Sequence, residues 1–97
     1  MKVYLSGKVT GLSPSEYRKN FDEAAEELKV LLGNVEIVDP TKCIPTIFGS
    51  WAEYMISDLL LLKGCDAIAL LPNWAESKGA QTEYAFAQGM GITIIKL

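Results

Sequence analysis

Hydrophobic and polar positions follow two rhythms along this chain. Short apolar blocks alternate with longer stretches in which apolar residues return every three or four positions, the periods of strand and helix. Residues 2–6, from Lys2 through Val3, Tyr4 and Leu5 to Ser6, form a β-prone run closed by Gly7, the first expected strand. Ser13-Pro14-Ser15-Glu16 carries a capping-box signature, with Ser13 at the N-cap, Pro14 at the first helical position and Glu16 reaching back. Tyr17, Phe21, Ala24, Ala25, Leu28 and Leu32 follow at helical spacing, and Gly33-Asn34 stops the run.

Val35-Glu36-Ile37-Val38 predicts a second strand, closed by Asp39-Pro40 because proline has no N–H to extend a ladder. Residues 41–49 read as an irregular loop. Ser50 to Leu62 predicts a second helix with Trp51, Tyr54, Met55, Asp58 and Leu62 on one face, ended by Gly64. Ala67-Ile68-Ala69-Leu70-Leu71 is continuously apolar, as expected of a strand covered on both faces, and Pro72-Asn73 ends it. A third helix is expected from Ser77 to Gln88, broken by Gly89 and Gly91, before a fourth strand at Ile92-Thr93-Ile94-Ile95.

Strands separated by helices of ten or more residues pair in parallel through right-handed crossovers. The fold class is therefore α/β, a three-layer α/β/α sandwich around a four-stranded parallel sheet, for which the order 2-1-3-4 is adopted. In that order the switch point lies between strands 1 and 3, and open sheets of this kind bind ligands beyond the carboxyl ends of the strands there. The residues at that place, Ser6 to Thr10 and Pro72 to Gly79, are polar and glycine-bearing.

With 97 residues, of which 49% are apolar and 22% charged, the composition is that of one folded domain spanning residues 1–97. The chain has no histidine, which removes Ser-His and Cys-His nucleophile pairs and any His-ligated metal. Acid–base work falls to carboxylates, Lys, Tyr or Cys. A net charge of −3 without a basic run disfavours a grip on nucleic-acid polymer. Cys43 and Cys65 lack CxxC spacing and are expected to be reduced thiols of a cytoplasmic protein. No apolar run approaches the ~20 residues that span a bilayer, so no membrane partner is expected.

Ser77-Lys78-Gly79-Ala80 enters the third helix at the crevice, where free N–H groups and the helix dipole suit an anion and Gly79 admits close backbone approach. An ordinary N-cap accounts equally well for this segment alone. Glu83, four residues after Gly79, lies on the same helix face, either half-buried near Tyr4 or facing solvent. Asp58, on the Trp51 and Tyr54 stripe, either points into a pocket or sits at its rim. Two such carboxylates converging on one crevice would supply a nucleophile and an acid for glycosidic cleavage without histidine. Asp66 fits a loop-closing acceptor. Trp74 would either cover a bound base or pack against a neighbouring subunit.

Together these residues resemble the nucleoside 2-deoxyribosyltransferase superfamily, and most of all its small phage and prophage-type branch. The matching pieces are Tyr4-Leu5-Ser6-Gly7 with Gly11 following, Trp51 and Tyr54-Met55 leading to Asp58-Leu59, Cys65-Asp66-Ala67-Ile68, Leu71-Pro72-Asn73-Trp74, and Ser77-Lys78-Gly79-Ala80-Gln81-Thr82-Glu83-Tyr84-Ala85. They are spread over essentially the whole chain. The resemblance implies a flavodoxin-like, Rossmann-like sheet, with Glu83 of a Gly-x-x-x-Glu motif as nucleophile at C1′, Asp58 as the acid that helps the base leave and Tyr4 as the residue that holds Glu83. It implies no metal and no organic cofactor, and a homodimer or higher even homo-oligomer. Any residue contributed by a neighbouring subunit would come from the 41–50 loop or Trp74. The position of Ser77 is where subclasses diverge: transferases on free nucleosides carry aspartate there, and deoxynucleoside 5′-monophosphate N-hydrolases carry serine. A carboxylate ~4 Å from a phosphate would cost about 4 kcal/mol per charge pair at an effective dielectric of 20, so serine admits the phosphate. The expected substrate is a 2′-deoxynucleoside 5′-monophosphate, bound by Ser6, Gly7, Ser77, Gly79, Trp51 and Trp74. The alternative is a non-catalytic nucleotide-binding module of the same fold.

Overall fold

The computed structural model describes residues 1–43 and 50–97. Strand β1 (Lys2–Ser6) is followed by helix α1 (Pro14–Leu32), strand β2 (Glu36–Val38), the single-turn helix α2 (Pro40–Cys43), helix α3 (Trp51–Lys63), strand β3 (Ala67–Leu70), a 3₁₀ turn at Trp74–Glu76, helix α4 (Lys78–Met90) and strand β4 (Thr93–Lys96). All pairings are parallel and the order is β2-β1-β3-β4, as anticipated. The registers Tyr4↔Val38 and Tyr4↔Ile68 place the middle of β1 at the centre of the sheet.

Alternation along β1 and β3 divides the interior in two. Val3, Leu5, Ala67, Ala69 and Leu71 point to one side and are covered by Phe21, Ala24 and Leu28 of α1. Tyr4, Ile68 and Leu70 point to the other, against Leu62 of α3 and Ala87 of α4. Helices therefore cover both faces, which explains why β3 is apolar at every position.

The helix ends follow local chemistry. Ser13 accepts from the Glu16 N–H at 3.3 Å while the Glu16 carboxylate accepts from the Ser13 N–H at 3.2 Å, so the capping box is formed. Ser50 caps α3 by accepting from the Glu53 N–H at 3.2 Å. Asp66 accepts from the Lys2 N–H at 2.7 Å and closes the approach to β3.

Three expectations are corrected. Residues 40–43 form a helical turn where an irregular loop was expected from 41; Asp39 initiates it, accepting from the Thr41 N–H at 2.9 Å. The rest of that loop, residues 44–49, lies outside the described residues, and with it most of the 41–50 segment expected to serve a neighbouring subunit. Helix α4 runs through Gly89 and ends only at Gly91, whose φ of 72° provides the left-handed cap. Strand β4 begins and ends one residue later than its apolar run, at Thr93–Lys96. Among the described residues no helix is long and apolar enough to cross a membrane.

Candidate active site

Because α3 and α4 lie on the face to which Tyr4 and Ser6 point, acidic residues on these helices meet hydroxyls on the strand. Glu83 is 4% exposed, and a carboxylate so deep requires partners. It has them on both oxygens: the Tyr4 hydroxyl donates to Oε2 and Ser6 Oγ donates to Oε1 at 2.7 Å. Among the described residues no buried side-chain polar atom lacks a partner.

Asp58 comes from α3 to a hydrogen-bonding contact with Glu83. Burial pushes the Glu83 carboxyl above the usual carboxylate range; Tyr4 and Ser6 pull it back, and the Asp58 charge adds to the rise. Burial also raises Asp58, while its hydrogen bond to Glu83 lowers it. Burial, then the charges of Glu83 and Asp58, hold the Tyr4 phenol far above its ordinary range, so it remains a donor. Two carboxyl groups in contact resist ionising together and titrate as a pair that shares one proton.

Above this pair lies a cleft of about 860 Å³. Gly7, Trp51, Asp58, Ser77, Gly79 and Glu83 all line it, so the structure brings together residues from three separate segments. Its size is within the range of small-molecule sites. Gly7 has a steric reason as well: a Cβ there would fall 2.8 Å from Leu71 Cδ2 and 2.9 Å from Leu71 Cβ, so the chains leaving β1 and β3 could not run as close. The Lys8 N–H bonds Asn73 Oδ1 at 3.1 Å and ties the same two segments together.

Ser77 is the N-cap of α4 and accepts from the Ala80 N–H at 3.1 Å, which leaves its hydroxyl hydrogen able to point at a ligand. Capping and ligand binding are thus compatible at this residue. A Cβ on Gly79 would lie 3.4 Å from Met55 Sδ, an ordinary contact, so the packing of α4 on α3 does not itself require glycine there.

Two expected binding residues are placed differently from the rest. Ser6 is 1% exposed and its hydroxyl serves Glu83 beneath the cleft. Trp74 is not among the lining residues: its ring packs on Tyr84 with centroids 4.9 Å apart, and Lys96 Nζ stands 6.0 Å from it. Sequence reasoning missed the far rim, Pro40 and Thr41. Arg18 of α1 holds that rim, donating to Thr41 Oγ1 at 2.7 Å and pairing with the buried Asp39. It also missed Lys78, whose ammonium lies 5.3 Å from the centroid of the Trp51 ring. The position of Lys78 beside Ser77 was the available signal.

Among the described residues no group of three or more His, Cys, Asp or Glu is placed to hold a metal. The pair of carboxyls, the phenol and the anion-favouring helix start are suited to polar chemistry on a small organic molecule.

A family model described as "Domain of unknown function (DUF4406)" matches residues 1–96. No curated protein matches the chain significantly. Among solved structures, a conserved protein from Enterococcus faecalis V583 superposes with a TM-score of 0.76 at 17% identity, over 98% of this chain and 61% of the other. A 2-deoxyribosyltransferase from Leishmania mexicana gives 0.70 at 16% identity, over 99% and 63%. A 2-deoxyribosyltransferase from Bacillus psychrosaccharolyticus gives 0.69 at 18% identity, over 99% and 71%. The chain thus spans about three fifths of the length of the first two, and the likeness is one of fold.

Proposed function

Because the chain belongs to the DUF4406 family, whose description assigns no activity, we propose its function from the cleft: cleavage of the N-glycosidic bond of 2′-deoxynucleoside 5′-monophosphates. The observation that carries this reading is the meeting of Asp58 and Glu83 in a cleft that the N-terminal turn of α4 also lines. The shared fold with two 2-deoxyribosyltransferases supports the substrate class.

In the proposed reaction, Glu83 attacks C1′ in its ionised form while Asp58 carries the pair's proton. That arrangement is reached by moving one proton along the hydrogen bond between them. Retaining glycosidases keep their two carboxyls about 5–5.5 Å apart. A hydrogen-bonded pair is closer, so Asp58 turns from Glu83 toward the leaving base as substrate enters. The C1′–N bond breaks, the base nitrogen takes the proton, and a glycosyl ester forms on Glu83. Water then releases deoxyribose 5-phosphate, or a second base releases a new nucleotide. Tyr4 and Ser6 hold the carboxylate in line, and Ser77 with the N–H groups near Gly79 receives the phosphate. Trp51 offers its ring to the base. The chain acts as one domain, without metal or cofactor, in a cytoplasmic setting that keeps Cys43 and Cys65 reduced.

The test is incubation with each deoxynucleoside monophosphate and chromatography for free base. Release from at least one substrate is expected, abolished by Glu83→Gln. Ligand-induced thermal stabilisation with no base released would leave a nucleotide-binding module instead. A homodimer or larger even assembly is part of the proposal, with the exposed Ile56 and Leu60 of α3 as the contact. Light scattering should give at least twice the monomer mass, and Leu60→Glu should reduce it.

A further inference from the structure

We propose that Lys78 selects a phosphorylated substrate, and that Trp51 holds its ammonium in reserve while the cleft is empty. The inference rests on the nucleotide reading above and adds the charge that reading lacks. Ser77 and the α4 N–H groups are neutral donors that would bond a sugar hydroxyl as well as a phosphate.

The charges around the cleft are unequal. Among the described residues its lining carries the carboxyls of Asp58, Glu76 and Glu83 and one cation, Lys78. A phosphomonoester entering this cleft is repelled by Glu76 and by the single charge that the Asp58–Glu83 pair carries, so its binding depends on where the cation stands. Lys78 is the first residue of α4 and Glu83 follows five positions later, about 7.5 Å along the helix at its usual rise. The phosphate end and the reacting end of a nucleotide are thereby assigned to successive turns of one helix. The charge of the Asp58–Glu83 pair lies at the reacting end, while Glu76, two residues before Lys78, stands near the phosphate end, where Lys78 is the cation that offsets it.

Lys78 is exposed, yet its ammonium is turned back over the ring of Trp51, which is itself 47% exposed. The contact joins the N-terminal ends of α3 and α4 across the cleft. An exposed cation–π contact is weaker than a charge-assisted bond to an anion, so phosphate at the start of α4 draws the ammonium away. Departure of Lys78 frees one face of the indole. The same movement that meets the phosphate therefore opens the surface on which a base stacks, and phosphate and base bind cooperatively.

The chain has two tryptophans, so in the Trp74→Phe background indole emission reports on Trp51 alone. Titration with inorganic phosphate and with 2-deoxyribose 5-phosphate should change that emission saturably, whereas 2-deoxyribose should not. Lys78→Gln should weaken phosphate binding at least 10-fold, and Lys78→Arg should retain it. Calorimetric titration of the unmodified chain and of Lys78→Gln gives the same comparison without the Trp74 substitution. With substrates, the ratio of kcat/KM for monophosphate over nucleoside should fall at least 10-fold in Lys78→Gln and recover in Lys78→Arg. The proposal is overturned if phosphate gives no saturable binding, if Lys78→Gln binds it as tightly as the unmodified chain, or if the kcat/KM ratio is unchanged. Phosphate binding through Lys78 with no base released from any substrate would instead refute the glycosidic reading and leave this one standing. Base release with an unaltered ratio would do the reverse.

Discussion

Glu83 is a carboxyl whose burial opposes its charge, and that sets a pH dependence with a definite sign. Its native pKa lies above the unfolded value of about 4.3, so above that pH the unfolded chain releases a proton that the native chain retains. Stability is therefore lost as pH rises from the unfolded pKa through the raised native one, and the loss is complete above it. Glu83→Gln carries no such penalty. Its Tm should exceed that of the unmodified chain by a margin that is small at pH 4 and grows to several degrees by pH 8, since ~1 kcal/mol moves Tm by roughly 4–8 °C in a domain of this size. A margin that shrinks with pH in thermal scans would contradict the assignment. The same substitution should lower turnover roughly 10³-fold or more. Tyr4→Phe removes a donor that lowers the Glu83 pKa, so the acidic limb of the pH–rate profile should move to higher pH. An unmoved limb would mean that Tyr4 does not tune the proposed nucleophile.

The elements differ in how much of their chemistry is local. The capping box of α1 was legible because its two bonds are made within four residues, and Ser13→Ala should cost about 1 kcal/mol in denaturant unfolding while leaving turnover unchanged, since Ser13 does not line the cleft. Gly7 contrasts with it: its need for glycine comes from Leu71, sixty-odd positions away, which no local pattern discloses. Gly7→Ala should cost about 1–3 kcal/mol by overpacking and also displace the segment lining the cleft, so both Tm and KM should change. Helix α2 escaped sequence reasoning because a four-residue turn has no periodicity to detect. Gly89 was misplaced as a breaker because glycine costs a helix only ~1 kcal/mol, and the left-handed residue that stops the chain is Gly91.

At the scale of the molecule, the sheet order and the convergence of Asp58 with Glu83 were legible because alternating elements leave few topologies and place strand ends and helix starts together. The direction of individual side chains was not. Ser6 could equally have faced the cleft, and only the register of β1 sends it under Glu83. Trp74 lies just past β3, but packing on Tyr84 decides its place. Lys78 could have extended into water, and its contact with Trp51 needs two helices to start side by side.

The position of Tyr4 and Ser6 on one side of β1 has a consequence for folding fidelity. Sliding that strand by a single residue would present Val3 and Leu5 to α4 and strand the Glu83 carboxyl among hydrocarbon, losing two hydroxyl donors at once. The acidic group thereby acts as a proofreader of strand alignment: the misaligned chain forfeits its most demanding bonds, and the central strand has one acceptable seat.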